Sequence, residues 1–342
     1  MRDVTINKII AIFLSHQGCP QRCIFCHQPH ITGVALRTEV TPEDVRHTIE
    51  CALAEPRSQQ KGVRFEVAFY GGTFTGLALD VQEQFLHTVQ AYIQRGDITG
   101  IRVSTHPRMF DDQIFALLNA YSVHLVELGV QSFDDEVLRL AQRGHTAEEA
   151  EQIIQRLHAA GIEVGIHLMV GLPGDSCVKS LFSTHKAIEL QPACVRIHPT
   201  LVMQGTQLEQ LSRAGQYQSL SLETAIILCK EMLRLFQTAG IPVIRIGLQP
   251  TTSLERHLIA GPYHPAMRQL VESAMFYDMM ETACIAHPFA DQRVVFYVSP
   301  KDLSTARGQK NANVIKLQER FHLQEVRILA DDTLPRGQVR RE

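Results

Sequence analysis

Through about the first 250 residues, apolar runs of strand length alternate with amphipathic stretches of helical length, and no other feature restricts the fold as much. Such a rhythm builds βα units around a parallel sheet. Strands are expected at residues 8–15, 63–70, 101–104, 125–130, 164–170, 195–199 and 243–246. Between them, Thr41 precedes Pro42, and Thr146 lies three residues before Glu149, so helices are expected to start at both places. Gly161 and Gly240 each close a helical pattern ahead of a strand, where a left-handed residue ends a helix. Six or more βα units make either an open doubly wound sheet or a full or partial (β/α) barrel, and periodicity does not choose between them. Polar, glycine-rich strings after the strand runs place the chemistry at the C-terminal ends of the strands.

The rhythm stops near residue 248. Residues 249–292 read as loop plus a helix over 264–280, and residues 293–330 form a small β-α-α-β pattern. A length of 342 residues at about 150 per domain suggests roughly two domains, and the expected divisions are 1–248, an extension over 249–292, and a small module and tail over 293–342. The tail from 293 holds ten Lys/Arg against six Asp/Glu, a balance of +4, whereas the whole chain carries −3 and residues 1–292 therefore −7. Only the tail favours a polyanion. No apolar window reaches membrane-spanning length and residues 1–15 lack signal-peptide features, so a cytoplasmic protein without a membrane partner is expected.

Three of the eight cysteines are crowded into Cys19-Pro-Gln-Arg-Cys23-Ile-Phe-Cys26, directly after the first strand. Three thiolates this close on a loop hold three irons of a cubane cluster and leave the fourth iron open. His16, His27 and His30 keep a zinc site as an alternative, although no second C-x2-C or paired-histidine half is evident. Cys51, Cys177, Cys194, Cys229 and Cys284 are scattered among apolar neighbours, the pattern of buried inert thiols.

Four further strings follow strand ends: Tyr70-Gly71-Gly72-Thr73-Phe74, Glu127-Leu-Gly-Val-Gln-Ser-Phe133, Arg143-Gly-His-Thr146 and His167-Leu-Met-Val-Gly-Leu-Pro-Gly174. Together with the cysteine triad they resemble the radical S-adenosylmethionine (SAM) superfamily over roughly residues 7–250. Within it they are similar to the branch containing the catalytic subunit of Elongator, a tRNA-uridine modifier, and share features with oxygen-independent coproporphyrinogen oxidases. The resemblance implies an α/β fold with a partial (β/α) barrel, a [4Fe–4S] cluster on Cys19, Cys23 and Cys26, and SAM chelated at the open iron. It places Phe25 beside adenine, Gly71, Gly72 and Thr73 at the methionine ammonium, Gln131 and Ser132 at the ribose, Arg143 at the carboxylate, and Gly171 against adenine. Gly72→Val is accordingly expected to weaken SAM binding and spare the cluster. An electron donor such as flavodoxin or ferredoxin is implied. Two departures bear on the substrate: the first cysteine gap is shorter than in Elongator's subunit, and the chain has no room for its acetyltransferase domain.

Residues 293–330 are similar to a KH module, a small α+β fold whose Gly-x-x-Gly loop clamps a nucleic-acid backbone. Gly308-Gln-Lys310-Asn311 stands at the loop, with Asn311 in place of the second glycine. Lys310 and Lys316, with Arg307 and Arg320, are the expected phosphate contacts. No residue is singled out as catalytic; His106, His167 and His198 lie near strand ends, where they reach a substrate or serve as structural groups. The leading expectation is an enzyme modifying an RNA (tRNA) nucleoside. Oxidation of a porphyrinogen or other small molecule, and a non-catalytic iron-sulfur RNA-binding or sensing protein, are the alternatives.

Overall fold

The computed structural model of the chain describes residues 6–33, 39–55, 62–286 and 292–342. Contacts gather the chain into two compact units: Met1–Leu220 with Leu235–Gly261, and Ser221–Arg234 with Pro262–Glu342. These divisions fall at different places from residues 248 and 292, and residues 287–291 of the expected extension lie outside the described residues.

In the first unit, strands β1 (Ile6–Phe13), β2 (Val63–Tyr70), β3 (Ile98–Thr105), β4 (Val123–Gln131), β5 (Glu163–Val170) and β6 (Cys194–Pro199) are followed by a two-residue β7 (Val202–Met203) and by β8 (Val243–Ile246). Helices α1 (Gln28–Thr32), α2 (Pro42–Ala54), α3 (Leu79–Gln94), α4 (Asp112–Ala120), α5 (Asp135–Leu140), α6 (Ala147–Ala159), α7 (Cys177–Glu189), α8 (Gln207–Arg213) and α9 (Leu222–Thr238) lie between them in the chain, residues 222–234 of α9 belonging to the second unit. All seven expected strands are present. Thr41 caps α2, its Oγ1 accepting from the Asp44 amide at 3.2 Å, and Thr146 does the same for α6 from Glu149 at 3.2 Å. Gly161 and Gly240 adopt φ of 75° and 72°, as a helix-ending glycine must.

The strand order is β1-β2-β3-β4-β5-β6-β8, with every neighbouring pair parallel. This order settles the question that periodicity left open. A doubly wound sheet reverses direction partway and puts helices on both faces. Here each strand joins the far side of its predecessor. Right-handed crossovers therefore place successive helices on one face, and the sheet curls around the other into a half-barrel.

The edge strands β1 and β8 do not pair. The segment after β8 meets α1 instead. Thr251 Oγ1 donates to the Ile31 carbonyl at 3.2 Å, just ahead of α10 (Thr252–His257). The rings of His27, His30 and His257 stack with centroids 3.5 and 3.7 Å apart. A short β9 (Leu258–Ala260) then pairs antiparallel with β7. Neither short strand has an apolar run long enough to be read from sequence.

The second unit carries α11 (Met267–Ala286), β10 (Arg293–Val298), α12 (Leu303–Arg307), α13 (Ala312–Phe321), β11 (Glu325–Ala330) and β12 (Val339–Arg341). Phe276, Met280 and Cys284 of α11 share one core with Phe296, Leu317 and Ile328. Burial of each large apolar side chain there contributes about 1.5–3 kcal/mol. The sheet order is β11-β10-β12, parallel then antiparallel. The expected β-α-α-β pattern is therefore present, with β12 added to it.

Candidate active site

The cysteine loop lies on the turn after β2, and glycines permit the contact. A Cβ on Gly72 would lie 2.3 Å from the Leu14 carbonyl oxygen and 2.4 Å from that of Gln17. Gly18 and Gly76 are equally tight: a Cβ on either would come within 2.1 Å of backbone oxygen of Thr73 or Gly18, respectively. The Thr73 amide donates to the Gln17 carbonyl at 2.9 Å, and Cys19 Sγ lies 3.4 Å from Thr73 Oγ1. Gly72 thus exists to let the cysteine loop dock, a different reason from the close ligand approach expected of it. Its replacement by Val is expected to displace the loop and reduce bound iron by more than half, measured as iron per chain after anaerobic reconstitution; a full iron complement would reject this packing role.

Cys19, Cys23 and Cys26 line one cavity of about 590 Å³ together with Phe25, Gly71, Gly72, Thr73, Gln131 and Arg143. Burial, then the neighbouring Cys23 and Cys19, push the Cys26 thiol far above the ordinary thiol range, and burial also raises Cys19. Among the described residues no three His, Cys, Asp or Glu side chains surround a single metal-ion position. A cubane asks for three separate corners rather than one shared ion, and three thiols on one cavity wall fit that requirement.

Arg143 is buried. Its Nη1 donates to Cys23 Sγ at 2.8 Å, its Nη2 to the Gly129 carbonyl, and its Nε has no partner. The guanidinium thus holds the middle cysteine in place by a charge-assisted hydrogen bond, a role that motif reading did not assign. The His106 ring supports this arginine, Nε2 donating to the Arg143 carbonyl at 2.7 Å, with His145 Nδ1 at 3.3 Å from it. Burial and then Arg143 lower His106 to about 4 and His145 to about 3, so both are neutral near pH 7.

Gln131 sits at an irregularity in the β4–β5 register and holds φ of 72°, a left-handed conformation uncommon outside glycine. Its Oε1 is buried without a partner. An unpaired amide oxygen on a cavity wall suits a hydroxyl donor such as a ribose. Phe25 and Met169 both line the cavity, and both pack against the buried cluster of Val137, Ala141 and Leu172.

Two of the residues expected at SAM are not on the cavity wall. Ser132 is buried off the cavity wall, its Oγ 3.2 Å from Ser183 Oγ and accepting from the Asp134 amide at 3.1 Å. β4 ends at Gln131, whose left-handed backbone turns the chain there, and Ser132 follows behind the wall. Gly171 is likewise absent from the wall: its amide donates to Asp175 Oδ2 at 2.7 Å and its carbonyl accepts from Tyr217 at 2.6 Å.

The cavity floor holds a charged network that motif reading missed. Glu127, fully buried, accepts from Tyr70 Oη at 2.6 Å, His167 Nε2 at 2.7 Å, Arg196 Nε at 2.5 Å and Arg102 Nη1 at 3.4 Å. Arg102 is shared with Glu66. A Cβ on Gly165 would meet Glu127 Cγ at 3.0 Å, so that glycine makes room for the carboxylate. The Glu inside the Glu127-to-Phe133 string was the available signal, but its partners lie on four other stretches of chain.

At the far end of the chain, Gly308 has φ 75° and ψ 165°, and Lys310 and Asn311 are left-handed at φ 52° and 59°. Gln309, Lys310, Asn311 and Lys316 are exposed. Buried Asn313 fixes the loop by donating to the Ser273 and Ala306 carbonyls, both at 2.9 Å. Arg307 and Arg320 are already engaged, with the Ile328 carbonyl at 2.8 Å and Glu281 at 2.8 Å.

Family comparison matches the radical SAM superfamily over residues 14–176 and the radical SAM C-terminal domain over 192–277. A tRNA uridine(34) acetyltransferase of Methanocaldococcus jannaschii is 25% identical over 66% of this chain and 48% of its own length. Mouse Elongator complex protein 3 is 27% identical over 59% of this chain and 40% of its own. The chain spans about half the length of the tRNA uridine(34) acetyltransferases that it matches. The solved structure of archaeal Elp3 from Methanocaldococcus infernus superposes with a TM-score of 0.62 at 21% identity, covering 82% of this chain and 64% of that one, a likeness of fold. Among the described residues no helix is long and apolar enough to cross a membrane.

Proposed function

From the premise that this chain belongs to the radical SAM superfamily of enzymes, we propose that it holds a [4Fe–4S] cluster on Cys19, Cys23 and Cys26, binds SAM beside it, and modifies a nucleoside of RNA, tRNA uridine being the favoured class. One observation carries this reading: the three thiols share a cavity wall with the Gly71–Gly72 turn, Arg143 and the unpartnered Oε1 of Gln131. When bound, cluster and SAM supply a 5′-deoxyadenosyl radical that abstracts hydrogen from the substrate, at the expense of one electron from a donor such as flavodoxin or ferredoxin.

The chain's own part is orientation and exclusion of water. Arg143 positions Cys23 by donating to its Sγ, and the neutral His106 and His145 hold Arg143 in place. Gln131 accepts a ribose hydroxyl, and Phe25 with Met169 offers an apolar surface to adenine. The RNA assignment rests on the names of the relatives and on the exposed Gly308–Asn311 loop with Lys310 and Lys316. Anaerobic incubation with SAM, dithionite and total RNA, followed by nucleoside mass spectrometry, tests it. A new nucleoside that requires SAM supports the reading; SAM cleavage with every nucleoside unchanged rejects RNA as substrate.

RNA capture by the second unit is a separate expectation. Lys310→Glu with Lys316→Glu is expected to weaken single-stranded RNA binding at least tenfold at low salt, read by a salt titration, because the contacts are to phosphates. These lysines are better targets than Gly308, whose backbone angles belong to glycine. Parental binding by the double variant would remove the loop from the interface.

A further inference from the structure

Among the described residues, four arginines line the cavity, Arg22, Arg143, Arg196 and Arg245, and no Asp or Glu does. Arg143 is occupied by Cys23 and Gly129, and Arg196 by Glu127 beneath the floor. Arg245 is different. It is half-buried on β8, directly opposite Arg196 in the β6–β8 register. Among the described residues it has no carboxylate within ion-pair distance, and its hydrogen bond goes to the neutral Gln249 Oε1 at 3.0 Å. Like charges opposed across strands in a partly dehydrated site destabilise each other unless an anion joins them. Burial and then Arg196 depress the Arg245 pKa, the direction expected of a cation without a counterion. Beside it on the same wall, two residues along β6 from Arg196, His198 carries a buried Nδ1 with no partner.

We propose that Arg245 and His198 form a subsite for an oxyanion carried by the substrate, either a phosphate attached to the nucleoside or a carboxylate. The inference rests on the reading of this cavity as the substrate chamber and adds a chemical requirement: the substrate brings negative charge to the β6–β8 wall. A planar guanidinium with free N–H groups binds either oxyanion in two-pronged fashion, and the imidazole supplies a further donor. Glu127 is already committed to Arg102, Arg196, His167 and Tyr70, so it does not serve as the missing counterion.

Calorimetry on the cluster-loaded full chain with SAM present tests this, using uridine 5′-monophosphate and uridine as probes at low salt. The phosphorylated probe is expected to bind at least tenfold more tightly, and Arg245→Gln to abolish that advantage while uridine and SAM affinities stay as in the parent. The melting temperature of Arg245→Gln is expected not to fall, since an uncompensated cation is removed; His198→Gln, a second variant, is expected to weaken only the phosphorylated probe. Inorganic phosphate and succinate are then competed against it: displacement by either supports the subsite, and the stronger competitor names the oxyanion. Equal binding of the two probes by the parent, parental binding of the monophosphate by Arg245→Gln, or displacement by neither anion overturns the proposal. The outcome is separable from the RNA assignment. RNA left unmodified while monophosphate binding still depends on Arg245 rejects the RNA reading alone; modified RNA with Arg245-independent binding rejects the subsite alone.

Discussion

Replacing Cys19, Cys23 and Cys26 together by Ala is expected to strip anaerobically reconstituted protein of its about four irons and four sulfides per chain, whereas replacing Cys51 and Cys229 leaves them in place. The physical basis is the difference in surroundings. Cys51 is exposed on α2, 3.5 Å from the His47 ring, and Cys229 is buried in α9, where burial raises its thiol to about 12. Neither touches the cavity. The triad faces the cavity, where burial raises the Cys26 and Cys19 thiols, and metal binding would displace their protons. Iron and acid-labile sulfide assays, with the visible absorption of the cluster, decide the matter; a full complement in the triple variant overturns the assignment.

The second large effect is on folding. Glu127→Gln keeps the shape of the floor but removes the carboxylate that Arg102 and Arg196 share. Breaking a buried ion pair from one side typically costs about 3–5 kcal/mol, and a loss of that size is expected in denaturant unfolding at pH 7. The pH dependence has a definite sign. Burial alone would raise the Glu127 pKa, but donation from His167 and Arg196 outweighs it and holds the group below its ordinary 4.5. A carboxylate depressed on folding stabilises the protein fully above its unfolded value, and that contribution disappears as the pH drops below about 4.5 toward the folded value. The parent is therefore expected to lose stability over that acid range more steeply than Glu127→Gln. Parallel curves for the two proteins would mean that the network carries no net stabilisation.

Local patterns carried much of the architecture. Each of the seven strands lies where an apolar run stands, and both helix starts at Thr41 and Thr146 form the expected reciprocal caps. The cysteine triad was legible for the same reason: its three thiols lie within eight residues of continuous chain, so spacing alone limits what they can hold. Asn311 at a left-handed position was also readable, because Asn tolerates that conformation. Lys310 sharing it was not, since nothing in a lysine signals positive φ.

Other features depended on which strands became neighbours. A right-handed βα unit is the same object in a doubly wound sheet and in a half-barrel; only the order β1-β2-β3-β4-β5-β6-β8 separates them, and that order is set by contacts between distant segments. Gly72 reads as a ligand-approach glycine in its own motif, yet its Cβ position is filled by the backbone of Leu14 and Gln17 from another strand's loop. Gln131 and Ser132 are equivalent candidates in the sequence, and the left-handed turn at the end of β4 divides them, one onto the cavity wall and the other behind it. Glu127 gains meaning from Tyr70, Arg102, His167 and Arg196, which stand 25 to 69 residues away. The sequence by itself determined the elements and the grouping of three cysteines on one loop, because periodicity and residue spacing act over one or two turns of chain. The tertiary structure alone decided the barrel, the buried carboxylate and the uncompensated Arg245, because charge balance in a cavity is a property of side chains brought together from separate strands.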